Sequence, residues 1–229
     1  DDTVVMLSSN GEVLFEKSVT QILIENGLGH VIYGQHGDMG REKRLLDPIH
    51  LNDIQPVNAD GEFWKSGDIF LSIKNQSMVL LYRPASNKII WVGQGNFLNQ
   101  HDVDILDDHR ISIFDNNAQY MSDGYRVVDF NRLMIYDFKT NEFTTHMETS
   151  FIDNEIRTIT QGRSEVLPNN ELFIEETDYG RLLYFNEDGS IKWTYVNRAN
   201  DGEVYAVSWS RILYQPHELS PARTVLNSK

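Results

Sequence analysis

Short apolar or alternating runs rich in Val, Ile, Leu, Phe and Tyr recur along the whole chain, with polar turns between them. Alternation with a period of two, or an unbroken apolar run of roughly four to eight residues between turn signals, marks a β-strand. On that basis strands are predicted at residues 4–7, 13–16, 69–73, 78–82, 89–92, 111–114, 133–138, 171–175, 182–185 and 191–196. Asn10-Gly11, Asp60-Gly61, Asn169-Asn170 and Asp188-Gly189 supply residues that tolerate the left-handed backbone of tight turns. No stretch sustains a helical period, so the chain reads as all-β.

The runs also repeat. GDIFLSIKNQSMVLLYRPASNKIIWVG at 67–93 and NNELFIEETDYGRLLYFNEDGSIKWTYV at 169–196 share one plan of strand, short polar stop, strand, turn, strand. HRISIFDNN at 109–117 with NRLMIYDFKTNEFTTHM at 131–147 follows it more loosely. Placing Leu106 on Leu167 brings Ile111-Ser112-Ile113 onto Leu172-Phe173-Ile174, and sets His101 opposite Gly162 and Asp102 opposite Arg163. A unit of four antiparallel strands recurring at about 40–60 residues is the signature of a β-propeller blade. VVMLSSNGEVLFEKS at 4–18 reads as the outer half of another blade, and VYAVSWSRILY at 204–214 as a strand that closes it. These units fall short of a comfortable ring, so residues 1–229 are expected to form one domain that is the C-terminal part of a larger propeller instead of a small closed ring. A β-sandwich competes; Trp91 and Trp193, each ending a comparable repeat, favour blades.

Composition narrows the function. A chain of 229 residues with 40% hydrophobic residues can bury a substantial core. Its formal charge of −14 argues against nonspecific contact with nucleic acid or an anionic membrane, both of which need a positive field. An anionic small substrate then requires a local cluster of cations. Without cysteine there is no disulfide, thiolate nucleophile or thiolate-bound zinc. No apolar run reaches the length of a membrane span, and the chain opens on Asp1-Asp2 instead of a charged and apolar leader. Phosphate-binding glycine loops, serine elbows and HExxH pairs are missing, and no motif calls for a cofactor.

His50 and His101 each stand at the head of an alternating run. In a propeller the innermost strand of each blade lines the central channel, so both imidazoles are expected to converge at its mouth. Neutral imidazole suits general-base, nucleophilic or metal-binding roles near neutral pH. Strand alternation points Asn52 the same way as His50 and turns Asp102 away from His101. Lys74, Arg132 and Arg163 are the cations that the repeat places toward the channel, and a guanidinium is well shaped to grip sulfate. Asp115-Asn116-Asn117 reads as a turn closed by its own side chains. Asp102, Asp104, Asp107 and Asp108 lack the glycine and spacing of a calcium loop and read as a solvated acidic edge. His30 and His36 fall in a glycine-rich stretch read as an exposed loop, and His109, His146 and His217 have no partner at a recognisable spacing.

Five features taken together resemble the arylsulfotransferase family of β-propeller proteins. They are D-x-x-H-x-N at 47–52, a strand ending in Ser72 with a cation two places on, the Trp-centred segment at 91–94, Gln100-His101-Asp102, and Phe114-Asp115-Asn116. The resemblance covers residues 47–137 well and extends loosely through LPNNELFI. It implies a six-bladed propeller, exported to the periplasm in bacteria, that moves a sulfuryl group from a phenolic sulfate ester to a phenol without a nucleotide donor. In that chemistry one histidine is transiently sulfated while other histidines and an arginine stabilise charge. His50 and His101 match the family's channel histidines, and Asn52 accompanies His50. The chain departs from the pattern at Lys74, where the family often has arginine, at Asn117-Ala118-Gln119, and at Gly162-Arg163-Ser164, where no histidine matches the nucleophile. On the resemblance and the repeat's placement of the cations together, His50, His101 and Arg163 are expected to serve catalysis, and Asn52, Lys74, Asn116 and Arg132 to bind an aryl sulfate or phenol. A catalytically silent propeller that binds an anionic or glycan ligand or a protein partner is the alternative. A hydrolytic metal site built from His50, His101 and nearby carboxylates is a third reading.

Overall fold

The computed structural model describes residues 1–34 and 47–214. It opens with a hairpin of β1 (Thr3–Leu7) and β2 (Val13–Ser18), followed by two short helices, α1 (Val19–Glu25) and α2 (His30–Tyr33). The first four-stranded sheet is β3 (Leu51–Pro56), β4 (Ile69–Ile73), β5 (Met78–Arg83) and β6 (Lys88–Gln94). The second begins with β7 (His101–Ile105) and β8 (Arg110–Asp115), is interrupted by a hairpin of β9 (Ala118–Met121) and β10 (Gly124–Val127), and ends with β11 (Arg132–Asp137) and β12 (Glu142–His146). After the helical turn α3 (Glu148–Asp153), the third sheet is β13 (Arg163–Val166), β14 (Leu172–Glu176), β15 (Arg181–Phe185) and β16 (Ile191–Val196). Each sheet is an antiparallel meander paired in chain order, which is the plan of a propeller blade.

Burial explains which residues take which place. Every residue of β4 and of β14 is buried, because blades cover both faces of these middle strands. Hence their unbroken apolar runs. β6, on the outside of its blade, alternates between exposed and half-buried positions, and β16 is exposed throughout. Three layers of side chains fill the spaces between sheets. One joins α1 and Val4 to Leu71, Leu80 and Tyr82. A second holds Trp64, Phe70, Phe97 and Phe138 between the first two blades, with Trp64 edge-on to Phe70 at 5.7 Å and to Phe138 at 5.4 Å. A third packs Phe114, Phe151, Ile174 and Phe185 between the second and third.

The inner strands are joined side chain to backbone. Asp53 Oδ2 accepts the Val103 N–H at 2.8 Å, and Asp102 Oδ2 accepts the Ser164 N–H at 2.7 Å. Val103 and Ser164 occupy the same register, opposite Ile113 and Ile174. One residue earlier, Asn52 donates to Gln100 O at 2.8 Å and His101 Nε2 accepts the Gln161 N–H at 3.2 Å. Asn52-Asp53 and His101-Asp102 thus perform one task at successive blade junctions.

A second device recurs where the second strand meets the third. Arg132 clasps Asp115 in one blade and Arg181 clasps Glu176 in the next. The fully buried Asp115 also accepts the N–H groups of Leu98 at 2.8 Å and Asn117 at 2.7 Å, so one carboxylate anchors the loop that leads into His101.

Several expectations change. Helix α1 arises because Ser18 caps it at Gln21 N and because Val19, Ile22 and Leu23 bury one face. Seven residues are too few to show a sustained period. His30 lies in α2, not in a loop, while His36 and His217 lie outside the described residues. Residues 204–214 form no strand. They hold a single bridge between Arg198 and Val204 and run over the third blade, where Ile212 packs against Leu167, Phe173 and Tyr184. That path presses on Gly180, whose φ of +59° and absent side chain are both required, since a Cβ there would meet Tyr205 O at 2.1 Å. Among the described residues no helix is long and apolar enough to cross a membrane.

Asp115→Ala should lower unfolding stability by about 3 kcal/mol, because it strands the Arg132 charge and two backbone donors at once. Urea denaturation measures this; a loss under about 1 kcal/mol would show that the clasp is not a structural anchor.

Candidate functional site

At the end of the channel where the inner strands begin lies a cavity of about 300 Å³, lined by His50, Asn52, Asp53, His101, Asp102, Gln161, Arg163, Glu175, Ser208 and Trp209 among others. The two histidines predicted to converge do line one cavity. They are not equivalent, however. Asn52 holds the junction position that His101 holds in the next blade, and His50 stands two residues earlier, with a left-handed φ of +53° like that of Asn99.

β-Bulges shape this rim. Pairing skips Asn52 between Leu51 and Asp53, and skips Asp102 between His101 and Val103. A bulge inserts one residue and re-aims its side chain. Asp102, at a φ of +51°, therefore does not turn away from His101 as simple alternation predicts, and both line the cavity.

The two imidazoles differ chemically. His101 is buried, its Nδ1 lies 2.8 Å from Asn116 Oδ1, and its Nε2 accepts from Gln161 N. That acceptor role fixes the neutral tautomer with the proton on Nδ1. Burial, with smaller contributions from the charges of Lys74 and His50, pulls its pKa down to about 4 against the favourable Asn116 bond. Asn116 is buried as well and donates to Thr158 O at 3.2 Å and Gln161 O at 2.8 Å. It faces His101 instead of lining the cavity. His50 is half exposed, and its Nδ1 meets Asp47 Oδ2 at 2.6 Å while its backbone N–H donates to Asp47 Oδ1 at 2.8 Å. Its Nε2 makes no hydrogen bond among the described residues. Asn52 donates to Gln100 O and keeps its Oδ1 buried without a partner.

Charge around the cavity is mostly negative. Arg163 pairs with Asp102 at 3.2 Å, reaches Ser210 O at 3.3 Å, and lies 5.5 Å from the centre of the Trp209 ring. Burial acts to lower its pKa, but Asp102, Asp104 and Glu175 outweigh burial and hold it above the usual value. Burial pushes Asp102 up to about 6, with Asp53 adding to the rise, and lifts Asp104 well above the carboxylate range. Asp102 is thus buried and Asp104 half-buried, unlike the solvated edge expected, whereas Asp107 is half-buried and Asp108 exposed as expected. Glu175 accepts the N–H groups of Trp209 at 3.2 Å and Ser210 at 2.5 Å, so it straps 208–210 across the site.

The remaining cations divide. Lys74 sits beside His50, its backbone N–H donating to His50 O at 3.1 Å and its Nζ lying 5.0 Å from the Tyr125 ring centre. Burial draws its pKa down, opposed by Asp47. Arg132 is absent from the lining and locks onto Asp115. His50 and His101 form no ligand cluster with carboxylates; the tightest such group among the described residues is Asp107, Asp108 and His109 at the turn after β7, with His109 2.5 Å from Asp108. His109 therefore does have partners, which the sequence spacing did not reveal. Sequence reasoning also missed Asp47 as the orienter of His50, although the pair stands inside the D-x-x-H spacing, and Glu175 as the anchor of the strap.

His101 should stay neutral and Nδ1-protonated from pH 7 down to about 5, because its folded pKa lies below the free value. Imidazole ¹⁵N shifts measure this, and a titration midpoint near pH 6.5 would contradict the bonding described.

Comparison with known proteins places this geometry. A profile of the family described as arylsulfotransferase (ASST) matches residues 1–198, through all three blades. No curated protein matches by sequence. Among solved structures the chain is similar to the Dos1 propeller, at 7% identity and a TM-score of 0.45, over 84% of this chain and 42% of that one. It is also similar to the Neurospora crassa Pan2 WD40 domain, at 11% identity and a TM-score of 0.43, over 82% of this chain and 45% of that one. The Doa1 WD40 β-propeller domain is a third, at 13% identity and a TM-score of 0.39, over 67% and 46%. The chain spans less than half the length of each of these. With the profile covering every blade, the chain belongs to the arylsulfotransferase (ASST) family.

Proposed function

We propose that the channel transfers a sulfuryl group from an aryl sulfate to a phenol, with His50 as the group that carries it. One observation supports this above the others. Asp47 engages Nδ1 of His50 at 2.6 Å and leaves Nε2 free at the cavity, the arrangement in which a carboxylate orients an imidazole nucleophile. In the first step the Nε2 lone pair forms a bond to sulfur as the bond from sulfur to the aryl oxygen breaks, and a phenolate leaves. Asp47 offsets the positive charge that appears on the ring. In the second step an acceptor phenol gives its proton to solvent, its oxygen bonds to sulfur, and the nitrogen–sulfur bond breaks to restore His50. Arg163 lines the cavity and would meet the transferring group; Lys74 is outside the lining, close enough to His101 for its charge to lower that pKa. Arg163, paired with Asp102 at 3.2 Å, offsets that carboxylate's charge and lessens the repulsion an anionic ester would meet. Asn52, in the cavity lining, would contact the acceptor phenol in this reading.

His101 then acts through position, as a neutral donor–acceptor link that holds Gln161 and Asn116 at the rim. The engagement of both its ring nitrogens, together with lysine at position 74, also favours a second reading in which the channel binds an aryl anion without turning it over.

Incubation with 4-nitrophenyl sulfate and phenol decides between them. Transfer should occur, fall to background in His50→Ala, and fall about 10–100-fold in Asp47→Asn with KM little changed. Wild-type protein that binds the ester without releasing 4-nitrophenol would establish the second reading.

A further inference from the structure

Only one of the three blades carries an insertion between its second and third strands. In the other two, single helical turns, Lys74–Gln76 and Thr177–Tyr179, make that connection. In the middle blade the β9–β10 hairpin replaces the turn. Its root is fastened to the loop that carries His101. Asn117, next to Asn116, closes the hairpin base through Val128 O at 2.5 Å and Phe130 O at 3.2 Å, and Asn99 donates to Ala118 O at 2.7 Å. Tyr125, in its second strand, lies over Lys74 of the turn after β4 in the first blade. The hairpin therefore stands beside the cavity, tied to the His101 loop at its root and, through Lys74, whose backbone N–H donates to His50 O at 3.1 Å, to the cavity residue His50.

The fold gains little core from it. Ala118 is buried, whereas Tyr120 is 73% exposed and Tyr125 39% exposed. These two tyrosines are cross-strand partners, with rings 5.2 Å apart and edge to face. An aromatic pair kept in water beside a cation offers an aryl sulfate two complementary surfaces at once. The ring packs on tyrosine while the anion meets the Lys74 ammonium.

We propose that the β9–β10 hairpin is the aryl-recognition element of this channel and that Tyr125 is its specificity-determining residue, selecting aryl over alkyl sulfate esters. This rests on the sulfuryl-transfer reading for the identity of the ligand, but binding alone tests it.

Calorimetric titration with phenyl sulfate and with methyl sulfate supplies the comparison. Wild-type protein should bind phenyl sulfate at least about tenfold more tightly, the scale of one well-packed aromatic contact. Tyr125→Ala should erase that preference and leave methyl sulfate affinity unchanged, whereas Tyr125→Phe should keep it. Tyr120→Ala, at the more exposed ring, should reduce it less. A preference that survives in Tyr125→Ala, or no preference in the wild type, overturns the assignment. Failure of turnover with an intact Tyr125-dependent preference would remove sulfotransfer and leave this inference standing; turnover without that preference would do the reverse.

Discussion

Everything at the channel mouth depends on how one blade's inner strand bonds to the next. A strand that lines a propeller channel pairs on one side only, so its other edge holds backbone groups that must find partners. Asp53 and Asp102 supply those partners at successive junctions, reaching Val103 N and Ser164 N. The bulges at Asn52 and Asp102 free the side chains to reach across, since a regular pleat would aim alternate residues away from the neighbouring blade. Structure and candidate chemistry thus share the same few residues. Where the third blade has Arg163 in the sequence position of Asp102, the polarity reverses, and the guanidinium bonds back to Asp102 and forward to Ser210 O.

That shared bonding sets the electrostatics. Junction carboxylates are drawn out of solvent by this bonding, and burial raises the pKa values of Asp53, Asp102 and Asp104. Arg163 keeps its charge in the same surroundings because those carboxyls lie beside it. The same junctions separate the roles of the histidines: one at a junction position is consumed by its bonds, while the one two residues before the equivalent position keeps a nitrogen free.

The middle strands were legible in the sequence because both of their faces are buried. Residues 69–73 were placed with the bounds seen in β4, and 171–175 lies one residue from β14; the exposed outer strand β16 was also placed with its bounds, from its β-branched and aromatic residues after Asp188-Gly189. Inner strands showed only through the polar residues at their heads, and the register of Leu106 on Leu167 does hold as far as Val103 and Ser164. Bulges leave no mark in an alternation rule, so the directions of Asp102 and His101 could not be read. Arg132 and Arg163 both head strands, yet one heads a third strand and meets Asp115 while the other heads an inner strand and meets the cavity. The repeat alone could not tell them apart. Residues 204–214 carry a strand-like pattern with no neighbour to complete a ladder, and the β9–β10 hairpin has exposed positions on both faces, so neither obeyed its local signal.

The central claim is that junction bonding commits His101 and leaves His50 as the reactive imidazole. Rapid acid-free quenching after exposure to an aryl sulfate, followed by mass-spectrometric peptide mapping, tests it most directly. The account predicts the sulfuryl group on His50. Its appearance on His101 would mean that Nε2 is not held by Gln161, and would contradict the account.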